Sequence, residues 1–299
     1  MIEVRNAKKV FRMGQERIRA VDDVSFTVNK GEFCCLLGTS GSGKSTLLNL
    51  MAGIEKLTGG EILIKGQSIG TMNEKKLSRF RQEHLGFVFQ AYNLMGSMTA
   101  LENVELPLVF KRIPASKRHR MARGILKKVG LGDRMNHKPK EMSGGQQQRV
   151  GIARAFVARP EVVFADEPTG NLDSRTTIEV MELIKQMAKK HNQTIVMVTH
   201  DISLSEYADK IIRISDGHIE SIEINEHPRG GEPGTCEGQA CAEGTDAAGT
   251  CEGQACAEGT DAADTCTTGM PEQSDAAAQA DINMDIISAI NSECGGDKK

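Results

Sequence analysis

The sequence predicts an α/β fold with a mainly parallel sheet, followed by a C-terminal tail of a different kind. Short apolar runs alternate with helical patterns through residues 1–225, and one of these runs ends in a glycine-rich loop. The charge then changes sign: residues 1–225 hold 34 basic and 25 acidic side chains, whereas residues 226–299 hold 3 and 15. We therefore expect a mildly basic domain over 1–225 and an acidic tail over 226–299.

Uninterrupted apolar runs predict the buried strands of the domain. The first run, 31–37, includes Cys34 and Cys35, which are expected to be small buried residues without a redox role. The other predicted strands lie at 63–64, 85–89, 162–165 and 194–198. Helical spacing of apolar residues predicts helices at 44–54, 101–110, 116–129 and 174–190.

The tail contains an internal repeat, because residues 234–248 recur without a change as 249–263. Residues 231–280 include no Leu, Ile, Val, Phe, Tyr or Trp, so this stretch is expected to be disordered for want of apolar surface. A metal-binding or redox role is the alternative, since six of the eight cysteines lie in the tail. Their Cys-x4-Cys spacing differs from the C-x2-C of ordinary zinc sites. Isoleucines at helical spacing over 281–290 are compatible with a short docking helix.

Composition argues against several classes of protein. No window approaches about 18 uncharged apolar residues, so no transmembrane helix is expected. The charged N-terminus lacks the apolar core of a signal peptide, and the chain is therefore expected on the cytoplasmic side. Nucleic acid is not an expected partner, because the chain has no Trp and only two Tyr to stack on bases.

A phosphate-binding loop is predicted at residues 38–46, which match the pattern G-x-x-x-x-G-K-[ST] between a predicted strand and a predicted helix. Its glycines let backbone N–H groups approach phosphate oxygens, and the new helix presents its positive end to the same anion. Lys44 would pair with the β- and γ-phosphates of ATP, and Ser45 would offer its hydroxyl to Mg²⁺. The predicted nucleotide-binding residues of the loop are Gly38, Thr39, Ser40, Gly41, Ser42, Gly43, Lys44, Ser45 and Thr46.

Two carboxylates follow the apolar run at 162–165. The carboxyl end of a parallel strand lies at the ligand edge of the sheet, so Asp166 is placed to hold Mg²⁺ and Glu167 to polarise an attacking water. Such a pair alone is a weak signal, because some strand ends simply expose solvated acids. Together with the phosphate loop upstream, the pair predicts a nucleotide hydrolase.

Residues 142–146, Met-Ser-Gly-Gly-Gln, resemble the signature motif in the ATPase subunits of ABC transporters. Met142 stands where the family usually has Leu, and it keeps an apolar contact. In the family, the helix that begins here points its N–H groups at the γ-phosphate held by the other subunit. The resemblance therefore adds a second group to the predicted nucleotide site, namely Ser143, Gly144, Gly145 and Gln146.

Four further positions resemble motifs of the same family. Gln90 resembles the Q-loop glutamine, which senses Mg²⁺ or the attacking water, and Asp173 belongs to a segment similar to the D-loop, which crosses the dimer interface. His200 resembles the switch histidine that contacts the γ-phosphate. Phe11 resembles the aromatic residue that stacks on adenine, and the alternative is a core aromatic. The implied catalytic set is Lys44, Gln90, Glu167 and His200, and the implied metal set is Ser45, Gln90 and Asp166.

The resemblance covers residues 1–225. It implies a P-loop NTPase fold with a RecA-like core, an antiparallel β-subdomain and an α-helical signature subdomain over 81–157. It also implies a head-to-tail pair of ATPase subunits, expected to be two copies of this chain, with two ATP molecules held between them.

Within the family, residues 90–108 and 166–173 resemble the macrolide-export and lipoprotein-release branch, the MacB and LolD types. That branch works with an FtsX-like membrane permease, so the resemblance implies a peripheral position on the cytoplasmic face of the membrane. Gly96 and Ser97 depart from the residues that relatives often carry in a loop that touches the permease. The alternative function is an ABC-type ATP switch, soluble or bound to a scaffold, without a role in transport.

Overall fold

Two β-sheets organise residues 1–14 and 16–229, which are the residues that the computed structural model describes. The strands, in chain order, are β1 Ile2–Met13, β2 Glu16–Val28, β3 Phe33–Leu37, β4 Gly59–Ile64, β5 Gln67–Ser68, β6 Leu85–Phe89, β7 Val162–Asp166, β8 Thr194–Thr199, β9 Lys210–Ser215 and β10 His218–Ile224. One sheet is antiparallel, with four strands in the order β2-β1-β4-β5. The other has six strands in the order β10-β9-β3-β8-β7-β6.

The six-stranded sheet is the parallel core that the apolar runs predict. Strands β9, β3, β8, β7 and β6 run parallel, and β10 joins antiparallel at the edge. Every residue of β3 and β8 is buried, which is why both strands have continuous apolar sequences. The register places Asp166, at the end of β7, beside Val198 near the end of β8. The carboxyl ends of the core strands therefore share one edge of the sheet.

Seven α-helices surround the sheets in the described part of the chain: α1 Lys44–Met51, α2 Glu74–His84, α3 Ala100–Phe110, α4 Ala115–Lys128, α5 Gly144–Val157, α6 Ser174–His191 and α7 Ile202–Ser205. Local capping determines where several of them begin. Thr99 and Glu102 form a capping box at α3, and Asn73 caps α2 by accepting the N–H of Lys76. The helices predicted at 101–110, 116–129 and 174–190 lie within one or two residues of their observed bounds, whereas the one predicted at 44–54 ends at Met51.

The helical subdomain begins later than the expected position 81. Strand β6 lies inside the expected span 81–157, and it pairs with β7 in the core sheet from Leu85 to Phe89. The preceding helix α2 buries Leu77 and Phe80 against the main core rather than against the other helices. The helical subdomain therefore consists of α3, α4 and α5, which enclose an apolar cluster of their own. An apolar run that completes the ladder of a parallel sheet cannot at the same time belong to a helical bundle.

The buried cysteines match their predicted role. Cys34 and Cys35 lie in β3, and burial raises the pKa of both thiols, that of Cys35 to about 12. The reactive thiolate form is therefore scarce at neutral pH.

In the described ranges, no helix is both long enough and apolar enough to cross a membrane. The predicted repeats, the tail cysteines and the 281–290 segment lie outside the described residues.

Candidate functional site

The phosphate loop joins β3 to α1 at the carboxyl edge of the core sheet. Gly43 is the N-cap of α1, with a φ of 94°, and no side chain caps the helix. The first N–H groups of α1 therefore remain available to an anion, and the helix dipole adds to the attraction. A glycine is also required for space, because a Cβ at Gly43 would lie 2.1 Å from the carbonyl oxygen of Ala20 in β2.

We expect Gly43→Ala to destabilise the protein more than Gly66→Ala. Both glycines have a positive φ, 94° and 73°, but a Cβ at Gly66 would meet nothing within 4 Å. Left-handed strain alone costs about 1–2 kcal/mol, and Gly66→Ala should lower the free energy of unfolding by that amount. Gly43→Ala should cost about twice as much, because β2 must also move. Urea unfolding without nucleotide measures both variants, and equal losses would contradict the close contact between the loop and β2.

Lys44 is folded into the phosphate loop and buried. Its ammonium donates to the carbonyl oxygen of Thr39 at 2.5 Å and to Ser42 Oγ at 3.3 Å. Burial lowers the pKa of Lys44, whereas the carboxylates of Glu167 and Asp166 act in the opposite direction. The loop therefore holds a cation, facing two carboxylates, at the place where a phosphate would bind.

Asp166 lies next to the phosphate loop at the end of β7. Its Oδ1 accepts a hydrogen bond from Ser45 Oγ at 3.2 Å. Burial raises the pKa of Asp166, although the hydrogen bond from Ser45 opposes that effect. A hydroxyl and a carboxylate side by side form a pair of hard oxygen donors.

Glu167 and His200 contact each other at the same edge, with His200 Nδ1 3.0 Å from Glu167 Oε1. Glu167 has a φ of 42°, a left-handed conformation that is uncommon outside glycine. Its N–H donates to the carbonyl oxygen of Val198 at 3.0 Å, which ties it to β8. Backbone strain of this kind concentrates at functional sites, where neighbouring contacts enforce it.

Gln90 follows β6 and reaches the loop that comes after Glu167. Its Nε2 lies 2.7 Å from the position of a Cβ on Gly170, and its carbonyl oxygen accepts from Asn171 Nδ2 at 3.1 Å. A cavity of about 360 Å³ opens here, and Glu167, Gly170 and His200 are among its lining residues. The structure thus gathers the predicted catalytic and metal residues at one edge, namely Lys44, Ser45, Gln90, Asp166, Glu167 and His200.

The signature residues begin α5 and bond to one another. Ser143 Oγ accepts the N–H of Gln146, and Gln146 Oε1 accepts the N–H of Ser143, which is a capping box. Gly144 and Gly145 occupy the first two helical positions, where backbone N–H groups have no partner inside the helix. Within the described ranges, no hydrogen bond joins 143–146 to the phosphate loop. In a single copy, the described hydrogen bonds therefore do not connect the signature to the phosphate loop.

Comparison with known proteins identifies the family. A family model described as ABC transporter matches residues 21–170, a range that holds the phosphate loop, the signature and both carboxylates. The chain belongs to the ABC transporter family. Its ATP-binding cassettes hydrolyse ATP to power transport, and this chain is such a cassette.

Relatives of this ABC cassette match about three quarters of the chain. An uncharacterized ABC transporter ATP-binding protein of Thermotoga maritima is 44% identical over 223 residues, which are 75% of this chain and 95% of the relative. The macrolide export ATP-binding/permease protein MacB of a Shewanella species is 43% identical, over 75% of this chain and 34% of that protein.

A solved structure confirms the cassette fold. It is a dimeric, post-hydrolysis state of the ATP-binding cassette MJ0796, bound to ADP and Pi, and a protein of that name comes from Methanocaldococcus jannaschii. The match has 41% identity and a TM-score of 0.71, and it covers 75% of this chain and 98% of that chain.

Phe11 and Asp173 lie at the borders of the site. Phe11 is half-buried in β1 and pairs with Ile18 of β2, two residues before the Ala20 that contacts the phosphate loop. Its ring lies 4.8 Å from Lys9 Nζ and is absent from the buried clusters of the described core. Asp173 is exposed and caps α6, and hydrogen bonds from the N–H and hydroxyl of Thr176 lower its pKa.

Two side chains of the ABC cassette that hold the backbone near Gln90 and Glu167 were not predicted from the sequence. Gln148 and Arg154, both in α5, donate to backbone carbonyls that follow Glu167 and Gln90 in the chain. The available signal was the presence of polar residues among the buried positions of this helix, and Gln148 is fully buried. Buried polar side chains usually have a specific partner.

Proposed function

We propose that the cassette binds ATP on residues 38–46 and cleaves the γ-phosphate at the edge formed by Asp166, Glu167 and His200. The supporting observation is the convergence of Glu167 and His200, 3.0 Å apart, on a helix N-terminus that no side chain caps. Lys44 takes up phosphate charge, and Glu167 accepts a hydrogen bond from the attacking water. His200 holds Glu167 and contacts the γ-phosphate, and the ring of Phe11 supports the adenine.

Mg²⁺ fits the donors at this edge. Ser45 Oγ and Asp166 Oδ1 are hard oxygen atoms 3.2 Å apart, and Gln90 carries a further amide oxygen. When bound, the ion offsets the charge that develops on the phosphate oxygens.

We propose that two copies of the chain share two ATP molecules head to tail. Gly144 and Gly145 present helix N–H groups that are suited to an anion, and nothing in the described contacts places them at the phosphate loop of their own chain. The dimeric structures of the cassette MJ0796 support a pair of this kind. ATP binding would close the pair, because each γ-phosphate contacts both copies, and its cleavage would release it.

We further propose that residues 1–225 drive a separate FtsX/MacB-like permease from the cytoplasmic face of the membrane, with 226–299 as an appended tail. The relative MacB bears a name that joins ATP-binding and permease functions, and the match covers 34% of it.

Affinity purification from native membranes in mild detergent, followed by mass spectrometry, tests the permease. Two variants make the test specific: Gly96→Arg in the loop after Gln90, and Gly70→Arg in the β-subdomain. Both positions are exposed; a Cβ at Gly96 would meet nothing within 4 Å, and one at Gly70 would meet Leu57 Cδ1 at 3.7 Å. We expect a permease to co-purify with the wild type and with Gly70→Arg but less with Gly96→Arg. Recovery of the wild type without any permease would favour an ATP switch without transport.

A further inference from the structure

Helix α5 contacts both arms of the proposed hydrolytic site through two side chains. On one side, Gln148 Nε2 donates to the carbonyl oxygen of Pro168, the residue that follows Glu167. On the other side, Arg154 donates to the carbonyl oxygens of Tyr92, at 2.9 Å, and Asn93. These two residues follow Gln90 by only two and three positions. A single helix therefore holds the backbone next to both Gln90 and Glu167.

The backbone that Arg154 holds is strained. Tyr92 and Asn93 have φ values of 61° and 47°. The left-handed conformation is unfavourable for non-glycine residues, although least so for Asn, so two in succession persist only where other contacts enforce them. Arg154 has no carboxylate partner within 4.0 Å in the described part of the chain, and burial lowers its pKa to about 10. The desolvated guanidinium of Arg154 therefore donates its hydrogen bonds to two backbone carbonyl groups.

Gln148 shows the same specialisation. It is fully buried, and its Oε1 has no hydrogen-bond partner in the described residues. An unpartnered buried acceptor is unfavourable, so the interaction that Gln148 contributes is the bond made by its Nε2. That bond holds the carbonyl group of Pro168, the residue next to Glu167.

We infer that Gln148 and Arg154 are positioning residues that fix Glu167 and Gln90 in their reactive places from the helix that begins with the signature. The inference rests on the proposed roles of Glu167 and Gln90 in ATP hydrolysis. It extends those roles to the signature. When a ligand binds residues 143–146 of one copy, a movement of α5 would shift Gln90 and Glu167 of the same copy. ATP bound to the partner's phosphate loop would thereby influence catalysis at the cassette's own site.

The chain offers a matched control for Gln148. Gln193 is also buried, donates its Nε2 to a proline carbonyl (Pro160, 2.6 Å) and has an unpartnered Oε1. Pro160 and Gln193 lie just before β7 and β8, at the edge of the core sheet opposite to Glu167. Gln148→Met and Gln193→Met therefore remove the same kind of bond to the backbone at opposite ends of β7.

Steady-state ATPase kinetics of the full chain test the inference. We expect Gln148→Met to lower kcat about tenfold, since small misplacement of catalytic groups slows chemistry strongly, while KM and the Kd for ATP change less than about threefold. Gln193→Met should keep the wild-type kcat, and both variants should lose similar thermal stability. Equal kcat for the two variants, or a rise in KM without a fall in kcat, would overturn the positioning role.

Arg154 provides a second variant pair and a check on the underlying proposal. Arg154→Lys keeps a cationic donor and should retain more of kcat than Arg154→Met, which removes every donor but keeps most of the volume. Equal kcat in these two variants would count against the role of Arg154. Glu167→Gln is assayed beside them: if it hydrolyses ATP at the wild-type rate, the proposed catalytic role of Glu167 fails. If it is inactive while Gln148→Met is fully active, the positioning inference alone fails.

Discussion

Glu167→Gln should bind ATP and accumulate as an ATP-loaded dimer that does not turn over. The amide has nearly the same size as the carboxylate, so the contact with His200 and the left-handed backbone can remain. It cannot accept a proton from the attacking water, however, and loss of a general base lowers rates by about 10²–10⁴-fold. We expect kcat to fall at least about a hundredfold while ATP affinity stays near the wild-type value, as measured by phosphate release and calorimetry.

Light scattering of the same variant reports the trapped dimer. Addition of ATP should double the apparent mass of Glu167→Gln, whereas ADP should not. Glu226→Gln is the matched control, because Glu226 is exposed just after β10, whose last residue Ile224 pairs with Lys210 at the start of β9, opposite to the carboxyl edge. The control should hydrolyse ATP like the wild type. Turnover of Glu167→Gln at the wild-type rate would show that another group activates the water.

Lys44→Met should abolish tight ATP binding. The ammonium is buried against the carbonyl oxygen of Thr39 and faces Asp166 and Glu167. Without it, the phosphates of ATP would approach two carboxylates with no cation from this side chain, and charge-assisted hydrogen bonds of about 1.5–3 kcal/mol each would be lost. We expect the Kd for ATP to rise about a hundredfold, as measured by calorimetry with Mg²⁺ present.

Lys111→Met is the control for the burial of a lysine. Lys111 also donates to two carbonyl oxygens, those of Glu83 and Ala158, both at 3.0 Å, and burial lowers its pKa as it does for Lys44. It lies after α3, outside the phosphate loop. Its substitution should change stability but leave the Kd for ATP unaltered. A similar loss of ATP affinity in both variants would indicate a general effect on folding rather than a role for Lys44 in binding phosphate.

Buried parallel strands can be predicted from this sequence because both of their faces are apolar. Strands β3 and β8 are fully buried and stand out as continuous apolar runs. Strand β2 alternates between buried and exposed residues, with Val21 and Phe26 buried but Ile18 44% exposed. In β1, register shifts interrupt such an alternation. Helix α2 buries only Leu77 and Phe80. Such elements depend on packing partners elsewhere in the chain, which a local pattern does not contain.

Residue identities in the site are predictable, whereas their geometry is not. The loop pattern and the strand end indicate Lys44 and Asp166, since both motifs are local. The positive φ of Glu167 and the bond from Gln148 to the Pro168 carbonyl arise where segments distant in sequence meet. The expected start of the helical subdomain at 81 was wrong for the same reason, because the pairing of β6 with β7 joins residues far apart in the chain.

A mixing experiment tests the shared ATP site most directly. Lys44→Met keeps a sound signature but lacks a working phosphate loop, and Ser143→Arg keeps a sound loop but places a bulky cation at the signature. Each variant alone should be nearly inactive. If each site combines the loop of one copy with the signature of the other, a mixed dimer contains one intact site, and the mixture should hydrolyse ATP well above the sum of its parts. A mixture that shows only that sum, with both proteins folded by circular dichroism, would contradict the head-to-tail arrangement.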